Sequence, residues 1–508
     1  EETGDEAAAT FFGTTTVTAT GTRAETFGVA VPVTVLEKLD IAVPDNAADL
    51  LRTEVGVDVN GIGPNQSRPI IRGQRGLRIL LLENGLRMNN ARRESDFGEI
   101  PGLLDIDSVE QVEVVRGPAS VLYGTDAIGG VLNLVTSAPT FSDRVRGSIG
   151  LRASSVDDQA RGTANIIASG QKVAFQLGLS YRDASNFEAP SGSFGNIRLE
   201  GDTEVMDTGL QDQSLWGRID YRVNDRHNTF LRFNRYRADE AGFGYVDPAL
   251  LGEETRVRIY YPYQDFDKYT FGYEGSALDS VLADNLEVQG YYQQNEREFN
   301  TDIGPINIGP LAPVPGWPDS ELNIETSNFS DVETIGMRLQ AGKITGNNNL
   351  LTYGAEFYED DVFNTDFSST QFIGRLPFPP FEFEDTETDD IANTPNATNT
   401  SYGVFAQDEI LLGDFMVTLG GRYQNVATKA EATPGWDISG MDFDDSAFVG
   451  AVNLLYQVSP KFNLTGSFGT AFRAPSIVER LFEGITPEGS GFQILNPDLE
   501  SENSRNVD

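Results

Sequence analysis

Residues 172–182, KVAFQLGLSYR, place Val173, Phe175, Leu177, Leu179 and Tyr181 on one face of an extended chain and Ala174, Gln176, Gly178, Ser180 and Arg182 on the other. Successive side chains of a strand point to opposite faces, so one face here is apolar and the other wet. DFMVTLGGRYQ repeats the pattern, with Phe415, Val417, Leu419 and Tyr423 set against Met416, Thr418, Gly420 and Arg422. KFNLTGSFGTAF does so again through Phe462, Leu464, Phe468 and Phe472. A strand that shows lipid on one side and a wet lumen on the other has this signature. It needs no long apolar run, and none of about 18 apolar residues occurs, so no transmembrane helix is expected.

Followed outward from residue 145, period two marks thirteen candidate strands, the last ending at 472. Their connections alternate: GQ at 170–171 is short and 184–213 long, NDRHN at 224–228 short and 238–265 long, and so on through TGNN at 345–348 and LLGD at 411–414. A soluble sandwich has no reason to alternate in this way. A bacterial outer-membrane barrel has short periplasmic turns and long extracellular loops. An odd count with a free edge cannot close such a barrel, so the chain is expected to hold only part of one, with SRNVD at 504–508 beginning a fourteenth strand.

The first 140 or so residues lack this repeat. PDNAADLLRTEVGVDV offers Asp45 as an N-cap for a short helix. PIIRG and LRILLLENGLRM read as short strands with a turn at 83–85, and VEVVRGPASVLYGTDAIGGVLNLVT, residues 112–136, as strand, turn and strand. A small α+β domain therefore precedes the barrel. The formal charge of −40 argues against a nucleic-acid partner, because phosphates are repelled. With no Cys and one His, and with no P-loop, HExxH or GxSxG in its required setting, the usual catalytic sets are absent.

IRGQ at 71–74, LLLENGLRMN at 80–89, VEQVEVVRGPASVLYGTDAIGGVLNLVT at 109–136, FRAP at 472–475 and NPDLESE at 496–502 follow one another in a set order. In these motifs the chain resembles the TonB-dependent outer-membrane receptors, and the likeness runs over nearly its whole length. The resemblance implies a membrane β-barrel of about 22 strands, with roughly nine beyond those present here, and an N-terminal α+β plug inside its lumen. A plug must pass close to the wall, which Gly117, Gly124, Gly129 and Gly130 permit, while Arg72, Glu113 and Arg116 are expected to contact the barrel. The implied organisation is a disordered extension at 1–13, a TonB-box-like segment at 14–20, a plug at 21–140 and a partial barrel at 141–508. Thr14, Thr15, Thr16, Val17, Thr18 and Ala19 would pair by strand addition with the periplasmic protein TonB, energised through ExbB and ExbD. Lipid of the bacterial outer membrane is the other partner implied.

The family takes up scarce nutrients, and the plug motifs are most similar to those of haem and siderophore receptors, so an iron carrier is the expected cargo; cobalamin or another metal complex is the alternative. The loop between FRAP and NPDL, where haem receptors carry a ligating His, has none here, and His227 sits in a short turn, so a bis-His haem site is excluded. No cofactor is required. Outward plug loops at 61–67 and 89–98 nominate Asn65, Gln66, Arg92, Arg93, Asp96 and Phe97 as ligand contacts, the arginines as clamps for carboxylates. Asp202, Asp207 and Asp212 offer hard oxygens that suit Ca2+. FEFEDTETDD at 381–390 reads as a solvated loop. A passive porin or adhesin barrel is the rival class, and the domain ahead of residue 140 speaks against it.

Overall fold

The computed structural model describes residues 33–37, 44–61, 66–88, 91, 98–117, 119–195, 197–308, 320–346, 348–377, 380–459, 462–485 and 491–508. The N-terminal domain holds β1 (Val33–Glu37), β2 (Val57–Asn60), β3 (Arg68–Ile71), β4 (Ile79–Glu83), β5 (Leu86–Arg87), β6 (Val109–Arg116) and β7 (Gly130–Thr136). Five of them form one sheet in the order β1–β6–β7–β4–β5, with β4 and β7 parallel and the other pairs antiparallel. The β6–β7 pair is the 112–136 stretch, folded around a short helix α1 (Ser120–Tyr123). Both faces of this sheet are covered, which is why its strands read as continuous apolar runs. Val112, Val114, Leu132 and Leu134 pack on the side of Leu50 and Leu51, while Val115, Val131, Leu80 and Leu82 pack with Tyr123.

Leu50 and Leu51 lie on a 3-10 helix, Ala47–Thr53, whose N-cap is Asn46, one residue after the expected Asp45. The Asn46 side chain accepts from the N–H groups of Ala48 and Asp49, and Asp49 returns the bond to the cap backbone. Asp45 instead pairs with Arg152 at 3.0 Å.

The second sheet has fifteen strands. Fourteen follow chain order as an antiparallel meander: β8 (Val145–Ala153), β9 (Ala160–Ser169), β10 (Val173–Ala184), β11 (Leu210–Asn224), β12 (His227–Gly242), β13 (Arg256–Gly275), β14 (Asn285–Asn307), β15 (Glu321–Thr345), β16 (Asn349–Pro377), β18 (Ala397–Leu412), β19 (Phe415–Ala430), β20 (Asp442–Ser459), β21 (Phe462–Arg473) and β22 (Glu502–Val507). The remaining one, β17 (Pro380–Asp389), pairs with the far end of β16. All thirteen expected strands are present, and β22 contains SRNV of the expected fourteenth.

The sheet wraps round the N-terminal domain with its two faces sorted as the periodicity requires. Along β10, Val173, Phe175, Leu177, Leu179 and Tyr181 are exposed and Ala174, Gln176, Gly178, Ser180 and Arg182 are buried. The outer face continues through Leu215, Leu231, Phe271, Met337, Val404 and Leu419, all exposed. An apolar band of this extent is a lipid-facing surface. The inner face is polar and buried because the N-terminal domain fills the lumen.

The strands run further than the sequence suggests at the long-loop end. Most of residues 298–331, another of the long connections between candidate strands, is strand, in β14 and β15, and the expected solvated loop at 381–390 is largely β17, exposed along its whole length. A spanning strand needs about 9–11 residues; β16 has 29, so it rises well clear of the bilayer. Beyond the lipid there is no apolar face to maintain, and the period-two signal disappears while the backbone ladder continues.

Candidate functional site: the plugged lumen

The N-terminal domain is held in the lumen by charge placed on the wet faces of single strands. On β14, Arg297 meets Glu99 of the plug at 3.0 Å, both side chains fully buried. Lys268 on β13 meets Glu83 at 3.1 Å, again buried. Arg161 on β9 forks onto Asp105 at 2.9 Å and reaches Asp107 at 3.0 Å. Burial pushes the Asp105 carboxyl up, against the pull of Arg161 and the Ser180 hydroxyl. Arg338 and Arg422 donate to the plug carbonyls of Gly85 and Leu122, at 2.9 and 3.3 Å. Buried pairs of this kind fix register, since removal of one partner strands a charge in a dry site.

Gly124 carries the closest passage of plug past wall. Its φ is +76°, and a Cβ there would lie 1.7 Å from Oε1 of Gln424 on β19. The neighbouring Thr125 N–H donates to that same Oε1 at 3.2 Å.

At the long-loop end, the two outward plug loops nominated from sequence spring from one base. Ser67 N–H donates to the Gly98 carbonyl at 2.9 Å, and Gly98, at φ +94°, lies against the Arg68 backbone so closely that a Cβ would sit 2.8 Å from its nitrogen. Gln66, nominated as a ligand contact, is buried there and donates through Nε2 to the Gly242 carbonyl at 2.7 Å, tying the loop to the outer end of β12. Asn65, Arg92, Arg93, Asp96 and Phe97 lie outside the described residues, as do Thr14 to Ala19. Ala91 is buried among Val332, Val362, Ala397 and Ala430 of the wall and Ile477 and Leu481 of a short loop helix, α2 (Ile477–Leu481).

Of the expected plug–barrel contacts, Arg72 makes one, an ion pair with Asp508 just beyond β22. Glu113 and Arg116 bond within the plug. β6 lies between β1 and β7, so Glu113 accepts from Asn133 at 2.9 Å and Gln111 at 2.9 Å, and Arg116 pairs with Glu54 behind the 3-10 helix. The three aspartates nominated for calcium are also separated: Arg258 holds Asp207 at 2.6 Å, Arg182 holds Asp212 at 2.5 Å, and Asp202 stands in an exposed turn. Among the described residues no group of three acidic or His side chains is arranged to hold a metal ion. For Asp207 and Asp212 the counter-charge is a guanidinium.

The contacts that sequence reading missed include Arg161, Lys268, Arg297, Arg338 and their partners. A charge on the wet face of a lumen strand was the available signal. Arg182 and Arg422 carry it in the stretches quoted above, but nothing local names the partner.

A polar-walled barrel with a folded domain lodged inside it is the architecture of a gated outer-membrane receptor. Comparison with known proteins agrees: the family described as TonB dependent receptor-like, beta-barrel matches residues 209–508, and the TonB-dependent Receptor Plug Domain matches 26–131. The chain belongs to the TonB-dependent receptors, proteins of the bacterial outer membrane. It is 22% identical over 461 residues to the vitamin B12 transporter BtuB of Vibrio vulnificus (strain CMCP6), covering 88% of this chain and 61% of that relative's length. Among solved structures it is similar to the copper transporter OprC, with a TM-score of 0.69 at 16% identity over 94% of this chain and 67% of the other. It is also similar to the FrpB iron transporter from Neisseria meningitidis, with a TM-score of 0.67 at 15% identity over 94% and 68% of the two chains.

Proposed function

We propose that this chain is the plug and part of the barrel of a receptor that takes up a scarce nutrient complex across the outer membrane, driven from the periplasm by TonB with ExbB and ExbD. The observation that carries the reading is the buried Arg297–Glu99 and Lys268–Glu83 pairs, which hold a stopper where a porin or adhesin has no use for one. An iron carrier is the cargo we favour. The sole His, His227, starts β12 at the short-turn end and its Nδ1 lies 2.6 Å from the Tyr273 hydroxyl, so it is not a haem ligand on the outer face, and a ferric siderophore suits the chain better than bis-His haem. Cobalamin is the second reading, favoured by the likeness to a vitamin B12 transporter. Titration of the purified protein with ferric siderophores, haem and cyanocobalamin, followed by fluorescence quenching, tests the assignment. Saturable binding of a ferric siderophore alone is the expected result, and binding of cyanocobalamin alone would overturn the iron assignment.

A further inference from the structure

A cavity of about 740 Å³ opens at the short-turn end, between the plug turn Asn84–Gly85 and the ends of β11 to β16, away from the outward loops. Arginine is concentrated on its wall. Overall there are 77 acidic and 37 basic residues, yet here five arginines (Arg218, Arg222, Arg226, Arg232 and Arg338) face four carboxylates. Three of the five are engaged: Arg218 with Asp220 at 2.8 Å, Arg226 with Asp279 at 3.2 Å and Arg338 with the Gly85 carbonyl.

Arg222 and Arg232 differ in having no acceptor among the described residues; they lie over the rings of Phe141, at 3.9 Å, and Phe230, at 5.1 Å. Arg232 is 8% exposed, and its Nε and Nη1 are buried without a hydrogen bond. The nearby Glu83 makes no hydrogen bond to it, and its carboxylate lies 3.1 Å from the Lys268 ammonium. A ring face offsets part of the cost of a desolvated cation, but an unpaired buried charge remains among the least favourable groups a fold can carry.

We propose that this cavity is a second binding site, for a small carboxylate-bearing molecule held by Arg232 with Arg222 as the second cation. A guanidinium edge takes a carboxylate through two parallel N–H···O bonds, and binding on the Nη1–Nη2 edge of Arg232 would supply at Nη1 one of the bonds it lacks. Its place on the periplasmic side, as a stopping point for cargo leaving the plug, rests on the transport reading above; the binding itself does not.

The test is calorimetric titration of the full chain in detergent at low salt, with succinate as the probe and inorganic phosphate as the second arm. Succinate is expected to bind the unmodified protein and the Arg198→Gln variant, changed at an exposed hairpin residue, alike, and to bind Arg232→Gln about tenfold or more weakly. Melting gives a second readout. Without anion, Arg232→Gln is expected to melt no lower than the unmodified protein, and succinate is expected to raise the melting temperature of the latter alone. Equal succinate affinity in Arg232→Gln, or a lower melting temperature for it with no succinate binding to either protein, would overturn the proposal. Phosphate binding more tightly than succinate would overturn the carboxylate assignment. Uptake is not measured, so failure of the transport reading and failure of this one are separable.

Discussion

Glu99→Gln removes a charge from the plug while keeping its shape, and it leaves the Arg297 guanidinium where water does not reach. Both side chains are fully buried, and the rings of Tyr261 and Phe299 stand 5.2 and 5.3 Å from the guanidinium. Breaking one partner of such a pair costs about 3–5 kcal/mol. At roughly 1.4 kcal/mol per factor of ten, the undocked plug population rises by roughly two to four orders of magnitude. The double change Glu99→Gln with Arg297→Met strands no charge and is expected to recover most of the loss. Hydrogen exchange of residues 100–108, at the base of the outward loops, reads the difference: fast in the single variant, slow in the double and in the unmodified protein. Unchanged protection in Glu99→Gln, or a double variant as loose as the single, would refute the view that this pair pins the plug.

Gly124→Val is expected to destabilise the docked plug by about 1–3 kcal/mol, through its positive φ and the overlap with Gln424, and Gln424→Ala should relieve only the overlap; melting of the three proteins checks this. Leu177→Arg places a charge on the exposed apolar face of β10 and is expected to cost about 2–4 kcal/mol at mid-bilayer, read as loss of folded protein in membrane fractions. Burial pushes the Glu479 carboxyl up, but the Arg473 guanidinium and the Ser476 backbone N–H outweigh it and hold Glu479 below its ordinary value. A depressed carboxyl stabilises above its unfolded value and loses that contribution as pH falls through the folded one, so acidification from about pH 5 to about pH 3 should loosen the loop around α2. Proteolysis of that loop against pH checks it, and Glu479→Gln should flatten the dependence.

Period two was legible because it is local: Val173 to Arg182 sort themselves between lipid and lumen by neighbour alone. The outer ends of β14 to β17 were not, since above the bilayer both faces of a strand are wet, and β17 is exposed on every residue. Asp45 is followed directly by Asn46, and it is the Asn46 side chain, accepting from the Ala48 and Asp49 N–H groups, that caps the helix. Glu99 and Arg297 are 198 residues apart, so each reads as an ordinary charge until the sheet wraps round and brings them together. Glu113 and Arg116 turn to partners within the plug for the complementary reason. A motif shows that a charge has a structural role, while which side of its strand meets the wall is decided by the sheet order.

The central claim, a stopper operated from the periplasm, is tested most directly by Val17→Pro in cells that carry the protein as their only receptor of this kind. On the proposed reading, strand addition would grip the backbone of Thr14 to Ala19, where proline removes an N–H and restricts φ. On the same reading, cargo would meet the opposite end of the molecule. Whole-cell binding is therefore expected to persist while energy-dependent accumulation falls to background, and accumulation at the unmodified rate would contradict the account.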